Sequence, residues 1–316
     1  MQAPVVYDIA MAVPFRGITR RSGMLFEGPA GWAEWSPFPE YDDHEAAAWL
    51  RAALEAAGSG PPTPVRDRVE VNGIVPALAP AAAAERAVAS GCRTIKIKVA
   101  GPGSSLDADV ARVAAVRAAL PQARLRVDAN GAWSLAQARA AISELAQFGL
   151  EYAEQPCATV DDLARLRFLD LGVPIAADES IRRADDPLKV KRAGAADVAV
   201  LKVQPLGGAA NCLRLVEELG LPVVVSSAVE TSVGLAMGVA LAAALPELPY
   251  ACGLETQRLL AADVVATPLR PVAGWLPVGP VTPDPELLER NRATGEVAEF
   301  WLARWHRVSR ILEEQP

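Results

Sequence analysis

Residues 125–133 read LRVDANGAW, and the fold follows from how that run is taken. Leu125 and Val127 alternate with Arg126 and Asp128, the period of a strand. Asp128, Asn130 and Gly131 then end it. Polar residues gathered at the C-terminal end of a strand are unusual, because strands of an all-parallel sheet are normally apolar on both faces. In a β/α barrel, catalytic groups project from the C-terminal strand ends into the mouth. Asp128 is therefore either a site residue or a helix cap. Ser134 is the better cap, since the helical period starts at Leu135. That leaves Asp128 without a local structural task.

Outward from this stretch the pattern repeats. Strand-like runs fall at 71–78, 94–99, 124–130, 150–156, 174–180, 197–203, 222–228 and 250–255. Alanine-rich helical segments separate them, at 81–90, 106–120, 135–148, 160–168, 185–192, 209–219 and 230–245. Eight strands alternating with seven helices predict an α/β fold with a closed parallel barrel of TIM type. The rival, a doubly wound open sheet, usually carries a glycine-rich phosphate turn after its first strand. No GxGxxG occurs here. Residues 1–66 break the pattern and predict a small α+β domain. Its strands lie in VVYDIAMAV and SGMLFEGPAGWAEWSPF, a helix runs from His44 to Ala57, and a Gly/Pro linker covers 58–64. The run Phe15 to Arg21 reads as a polar, glycine-containing loop. Past Pro271 the tail turns through prolines and becomes helical, with Phe300, Trp301, Trp305 and Ile311 as its packing face.

Composition narrows the function. The chain has 316 residues, of which 51% are hydrophobic and 22% charged, enough for a sizeable core. A net charge of −7 and a pI near 5.1 argue against a nucleic-acid or membrane-surface partner. The N-terminus lacks the basic and apolar regions of a signal peptide, and no apolar run has the length of a bilayer span. Cys92, Cys157, Cys212 and Cys252 are scattered, with no C-x-x-C, and read as buried thiols of a cytoplasmic protein. Only two histidines occur, His44 and His306, both in polar terminal segments, so histidine chemistry is not expected. Of 31 basic residues only five are lysines. Lys189 and Lys191 lie in a polar helix and read as solvated. Lys96, Lys98 and Lys202 lie inside apolar strands, where a lysine, unlike an arginine, gives up its proton when its pKa is lowered.

The polar residues then fall on strand ends in order. The second predicted barrel strand ends in Lys96 and Lys98, on one face. The third ends in Asp128 and Asn130, the fourth in Glu154, and the fifth in Asp178 and Glu179. The sixth ends in Lys202 and the seventh in Ser226 and Ser227. A carboxylate from each of three consecutive strands makes a cation site whose oxygen donors suit Mg2+. Zinc is disfavoured without histidine or cysteine nearby. The competing structural reading has each acid capping a helix or pairing with an arginine; it suits one acid better than three at equivalent positions. Lys98 and Lys202 flank the metal strands. Burial and a nearby cation both depress a lysine pKa and free an amine to act as base. The metal would stabilise the charge that develops as a proton leaves the carbon beside a carboxylate. The expected chemistry is proton abstraction α to the carboxylate of a small molecule. Lys96 is read as an ion-pair partner of the carboxylates.

Taken together, K-x-K (Lys96, Lys98), D-x-N (Asp128, Asn130), E-x-P (Glu154, Pro156), D-E (Asp178, Glu179) and Lys202 resemble the enolase superfamily, specifically its muconate-lactonizing-enzyme subgroup. The resemblance covers the chain. It implies a modified (β/α)7β barrel over 67–270 and a capping domain built from 1–66 with the tail 271–316. Within the subgroup, PFRGITRRSGMLFEGPAGWAEWSPF, SSAVETSVG and ACGLET are similar to the o-succinylbenzoate synthase family of actinobacterial type. That family dehydrates 2-succinyl-6-hydroxy-2,4-cyclohexadiene-1-carboxylate on the menaquinone pathway. Carried over, Asp128, Glu154 and Asp178 would bind Mg2+, with Mn2+ as a substitute. Lys98 would take the α-proton and return it to the leaving hydroxyl, and Lys202 would face it as an ammonium. Arg16, Ser226, Ser227 and the Gly253-Leu254 backbone would lie near the ligand. Lys96, Asn130 and Glu179 would support the ligands from behind. N-succinylamino acid racemases, dipeptide epimerases and muconate cycloisomerases share the scaffold and both lysines, so the metal motifs do not choose among them. A non-catalytic binding barrel would usually have lost a ligand or a lysine. A phosphate-sugar barrel enzyme would carry a glycine-rich cradle after its last strands. No assembly is dictated by the sequence, and a monomer is compatible with it.

Overall fold

The computed structural model describes residues 4–15, 17–183 and 186–314. Arg16, an expected ligand contact, and Asp185, the start of an expected helix, lie outside the described residues. The chain opens with an antiparallel sheet of β1 (Val5–Phe15), β2 (Ile18–Gly28) and β3 (Gly31–Trp35). Phe15 pairs with Ile18, so the expected 15–21 loop is instead a hairpin whose two arms are strand. Helix α1 (Asp43–Ser59) packs on this sheet. Asp42 caps it and Glu45 closes a capping box, which satisfies two of the free N–H groups of the first turn.

The barrel region begins with β4 (Arg68–Glu70) and continues β5 (Gly73–Val75), α2 (Pro80–Ser90), β6 (Thr94–Lys98), α3 (Leu106–Ala119), β7 (Arg124–Asp128), α4 (Leu135–Leu145) and β8 (Leu150–Glu154). It goes on through α5 (Val160–Phe168), β9 (Ile175–Ala177), α6 (Glu179–Arg182), α7 (Lys189–Arg192), β10 (Val198–Leu201), α8 (Ala209–Leu219), β11 (Val223–Val225) and α9 (Ser232–Ala244). Ser134 does cap α4, with Gln137 completing its capping box. The tail contributes β12 (Trp275–Pro277), paired with β4, then α10 (Pro285–Arg290) and α11 (Gly295–Glu314). On α11, Trp301 and Val308 are buried, whereas Phe300 is 44% exposed and is not part of the packing face expected of it.

Strands β5 to β11 form one parallel sheet in chain order. The eighth expected strand, 250–255, is not a strand. It contributes two parallel bridges, Val71 to Cys252 and Ser226 to Gly253, which join the two edges of the sheet. Gly253 is required there: a Cβ would lie 2.5 Å from Ser226 Oγ. At this seam the carboxylate of Glu255 stands in for a ladder partner, accepting the Ile74 N–H at 2.9 Å.

The period of two explains the interior. Ile95, Ile97, Leu125, Val127, Ala153, Ile175, Leu201, Val223 and Val225 pack outward among the helices. The alternate positions on β9 to β11, with Tyr152, make a small inner core of Ala176, Val198, Val200 and Val224. On β6 to β8 those alternate positions are Lys96, Lys98, Arg126, Asp128, Tyr152 and Glu154. Burying that much charge is tolerable only if it is paired. Among the described residues no helix is long and apolar enough to cross a membrane. The four cysteines are buried and free.

The three-stranded sheet is fastened to the barrel side by a buried carboxylate. Glu34 accepts from Tyr7 Oη at 2.7 Å, Ser36 Oγ at 2.7 Å, Thr231 Oγ1 at 2.5 Å and the Gly234 N–H at 3.2 Å. Glycine at 234 permits this, since a Cβ would meet Glu34 Cδ at 3.0 Å.

Candidate active site

Register places the charged residues in one row. Lys98 pairs with Asp128, and Asp128 with Glu154, across three adjacent strand ends. Asp178 follows the end of β9 directly, and Lys202 the end of β10. All three acids are at most 1% exposed. Lys96 Nζ donates to Glu154 at 2.8 and 3.0 Å and lies 3.3 Å from Asp128. Lys98 Nζ donates to Asp128 at 2.5 Å and to Asn130 Oδ1 at 2.7 Å. Lys202 Nζ donates to Asp178 at 2.6 Å. Asn130 Nδ2 reaches Glu179 at 3.2 Å.

In this arrangement each of the three acids is answered by a lysine. Among the described residues no three acids, histidines or cysteines converge as an ion cage. The two classes of lysine differ in their environment. Burial alone would lower Lys96, but Glu154 and Asp128 outweigh it and hold Lys96 above its ordinary value. Lys98 and Lys202 are pushed down, chiefly by burial and also by neighbouring cations, against the pull of Asp128 and Asp178. Asp128 is held well below the usual carboxylate range despite burial, by Lys98 and Lys96. Asp178 is held down by Arg182 and Lys202. Glu154 is pushed up to about 7 by burial and by the charge of Asp128.

A narrow cavity opens over these groups. Its walls are Phe15, Phe38, Ile74, Lys96, Lys98, Asp128, Asn130, Lys202, Ser226, Ser227, Ala228, Val229 and Thr256. Phe15 comes from β1, and its ring centroid lies 5.2 Å from Lys98 Nζ. A roomier cleft lined by Trp32, Pro61, Pro62 and Met237 has no comparable set of charges. Ser226 and Ser227 both line the narrow cavity, but their hydroxyls donate to Gly253 O at 3.3 and 3.1 Å. Gly253 and Leu254, expected near the ligand, line no part of it. Gly253 closes the barrel, and Leu254 is fully buried in the core.

Several members of the site escaped the sequence. Arg182, 1% exposed in its side chain, donates to Asp178 at 2.9 Å, to Glu179 at 2.6 Å and to Tyr41 Oη. Its signal was the four-residue spacing from Asp178, hidden because 174–180 read as one strand. Gln155 adopts φ +38 and ties two loops together. Its Oε1 accepts the N–H groups of Asp178 and Ser180, and its Nε2 donates to Cys157 O and Ser180 Oγ. Phe15, Phe38, Ile74 and Val229 carry no pattern beyond being apolar.

Comparison with known proteins bears directly on this architecture. Residues 79–283 match the family described as Enolase C-terminal domain-like, and residues 6–57 the family described as Enolase N-terminal domain-like. The fold is similar to a 2-chloromuconate cycloisomerase from Rhodococcus opacus 1CP (TM-score 0.77, 24% identity, covering 92% of this chain and 98% of that one). It is also similar to an N-succinyl Arg/Lys racemase from Bacillus cereus ATCC 14579 (TM-score 0.78, 17% identity, 92% and 97% covered). At such identities the likeness concerns the fold alone. In sequence the chain is 59% identical to an o-succinylbenzoate synthase of Thermobifida fusca (strain YX), over 96% of this chain and 97% of that protein. It is 52% identical to the o-succinylbenzoate synthase of Mycobacterium tuberculosis (strain ATCC 25618 / H37Rv), over 95% and 91%. The chain belongs to the enolase superfamily and, within it, to the family of these o-succinylbenzoate synthases.

Proposed function

We infer that the chain is a metal-dependent lyase that dehydrates 2-succinyl-6-hydroxy-2,4-cyclohexadiene-1-carboxylate to o-succinylbenzoate, a step of menaquinone biosynthesis. The observation that carries the chemistry is the pair Lys98 and Lys202. Lys202 is buried and Lys98 partly so, both are pushed toward the neutral amine, and both line one cavity from either side of three buried carboxylates. The synthase relatives at 52–59% identity select the substrate.

The donor set fits a divalent cation. Asp128, Glu154 and Asp178 offer hard carboxylate oxygens from adjacent strand ends, the kind Mg2+ prefers, with Mn2+ as a substitute. Charge supports the same fit. Asp128, Glu154, Asp178 and Glu179 face Lys96, Lys98, Lys202 and Arg182, so the cluster is balanced as it stands. The cation adds two positive charges and the substrate carboxylate one negative charge, so one ammonium charge becomes superfluous; Lys98, whose counter-charge Asp128 would pass to the cation, gives it up, and Lys202 keeps its own. When bound, the cation supplies a positive charge against the substrate carboxylate.

The chain's own residues do the rest. Lys98 Nζ, as the free amine, takes the proton from the carbon bearing the carboxylate. The same nitrogen returns that proton to the hydroxyl on the same face, which leaves as water while the ring becomes aromatic. Lys202, as the ammonium, lies on the opposite face, where a cation against a π system is favourable. Lys96 stays charged and holds Glu154 and Asp128. Arg182 and Gln155 hold the loop that presents Asp178. We take residues 67–270 as the unit that performs this chemistry, and 1–66 with 271–316 as the unit that covers it.

The test is a choice between substrates. In D2O with Mg2+, the full chain is given the cyclohexadiene acid and, separately, a single enantiomer of an N-succinylamino acid. Dehydration should dominate. Racemisation of the amino acid with no turnover of the cyclohexadiene acid would move the chain to the racemase reading.

A further inference from the structure

Arg21 sits in β2, far in sequence from the lysines, and is 1% exposed. Its guanidinium spends its donors on four backbone carbonyls and one hydroxyl. Nε donates to Val229 O at 3.1 Å and Nη2 to Ala228 O at 3.2 Å. Nη2 also donates to Ser36 O and, at 3.1 Å, to Ser36 Oγ, while Nη1 donates to Ser22 O at 3.2 Å. Its central carbon lies 4.5 Å from the centroid of the Phe38 ring. One side chain therefore ties the covering sheet to the turn that follows β11.

That turn is strained. Val229 adopts φ +65, in the left-handed region. A β-branched residue takes that conformation only when its surroundings impose it. Here they do. Arg21 holds the carbonyls of the two peptides that flank Val229, and Glu230 accepts the Ala228 N–H at 2.7 Å. Val229 and Phe38 are both walls of the cavity that contains Lys98 and Lys202. A lysine could not replace Arg21, because a single ammonium does not present a planar fork to several carbonyls at once.

We propose that Arg21 is a positioning residue that fixes the shape of the substrate cavity, by holding the Ala228–Val229 turn in its left-handed form. It acts on which ring-bearing acid fits, not on the proton transfer. This rests on the dehydration reading above, and the test separates the two.

Steady-state kinetics are measured on the Mg2+-loaded full chain for wild type, Arg21→Lys, Val229→Gly and the double variant, with thermal melts as a check on folding. Arg21→Lys should raise KM at least tenfold and change kcat less than threefold. In the Val229→Gly background the same substitution should raise KM less than threefold, because glycine holds a positive φ without help. An unchanged KM in Arg21→Lys, or an equal loss in both backgrounds, overturns the proposal. If Arg21→Lys does not fold, the cycle is run with Arg21→Gln. Failure of both to fold assigns Arg21 to the fold and not to the cavity, which also overturns it. If wild type itself does not turn over the acid, the dehydration reading is what has failed. The same four proteins are then compared by calorimetric binding of o-succinylbenzoate, where the same pattern is expected in Kd.

Discussion

Lys96, Lys98 and Lys202 bring the same side chain to one cavity, and their neighbours give them different tasks. Lys96 faces two carboxylates and stays charged. Lys98 shares one carboxylate with it, and its amine is pushed down by burial. A cation on Asp128 would remove the strongest counter-charge that Lys98 has. Lys98→Ala should therefore lower kcat by about 10^2–10^4-fold, the usual worth of a general base, with folding and product binding retained. Lys202→Ala should lower kcat as well while sparing Mg2+ affinity. Asp128→Asn should weaken Mg2+ at least tenfold by calorimetry, and unchanged affinity would remove Asp128 from the metal site. These residues were legible in the sequence because each puts a charge where a strand should be apolar. Arg182, Gln155 and Arg21 were not. They act through folded contacts, and for Arg21 and Val229 these span 208 positions of sequence.

At the scale of elements, β6 to β11 and most of the helices between them follow from periodicity, because the strands are apolar on their outer face and the longer helices bury a stripe; α6 does not, since 179–180 continue the strand pattern of 174–180. The eighth strand fails for a physical reason. Cys252 and Gly253 hydrogen-bond to both edges, through Glu70, Asn72, Val225 and Ser227, but the pairing is one residue long on each side and Glu255 meets Ile74 with its side chain, so 250–255 is too short a ladder to make a strand. The joint between the covering sheet and α9 is Glu34, whose carboxyl is pushed up to about 7, mainly by burial, with the nearby Glu230 charge adding to it. Tyr7, Ser36 and Thr231 donate to it in partial compensation. A folded-state pKa above the unfolded value means that the folded chain binds the extra proton. The stability this contributes is fully present below about pH 4.5 and is lost as pH rises through 7. At about 1.4 kcal/mol per unit, the loss is on the order of 3 kcal/mol. Glu34→Gln should flatten the fall in thermal midpoint between pH 5 and pH 7. An equal slope in the variant would assign the fall to other groups.

At the scale of the molecule, the design separates chemistry from selection. Strands β6 to β10 present the acids and lysines, while Phe15 and Phe38, from the sheet and the segment after it, close the cavity above them. The lysines and carboxylates alone are compatible with racemase, cycloisomerase or dehydratase chemistry, and the two neighbours in fold carry the first two of those names. We place the choice of substrate in the apolar wall made by Phe15 and Phe38 with Ile74 and Val229. Its contribution was the least legible part of the sequence, since apolar wall residues look like any other core.

The central claim is a metal-dependent dehydration with Lys98 as base, and appearance of the aromatic product tests it most directly. The cyclohexadiene acid is followed by ultraviolet absorbance with wild type and Lys98→Ala, each with Mg2+ and after chelation. Aromatic product should form only with wild type and Mg2+, and should return when Mg2+ is restored to the chelated enzyme. Equal rates after chelation, or in Lys98→Ala, would contradict the account.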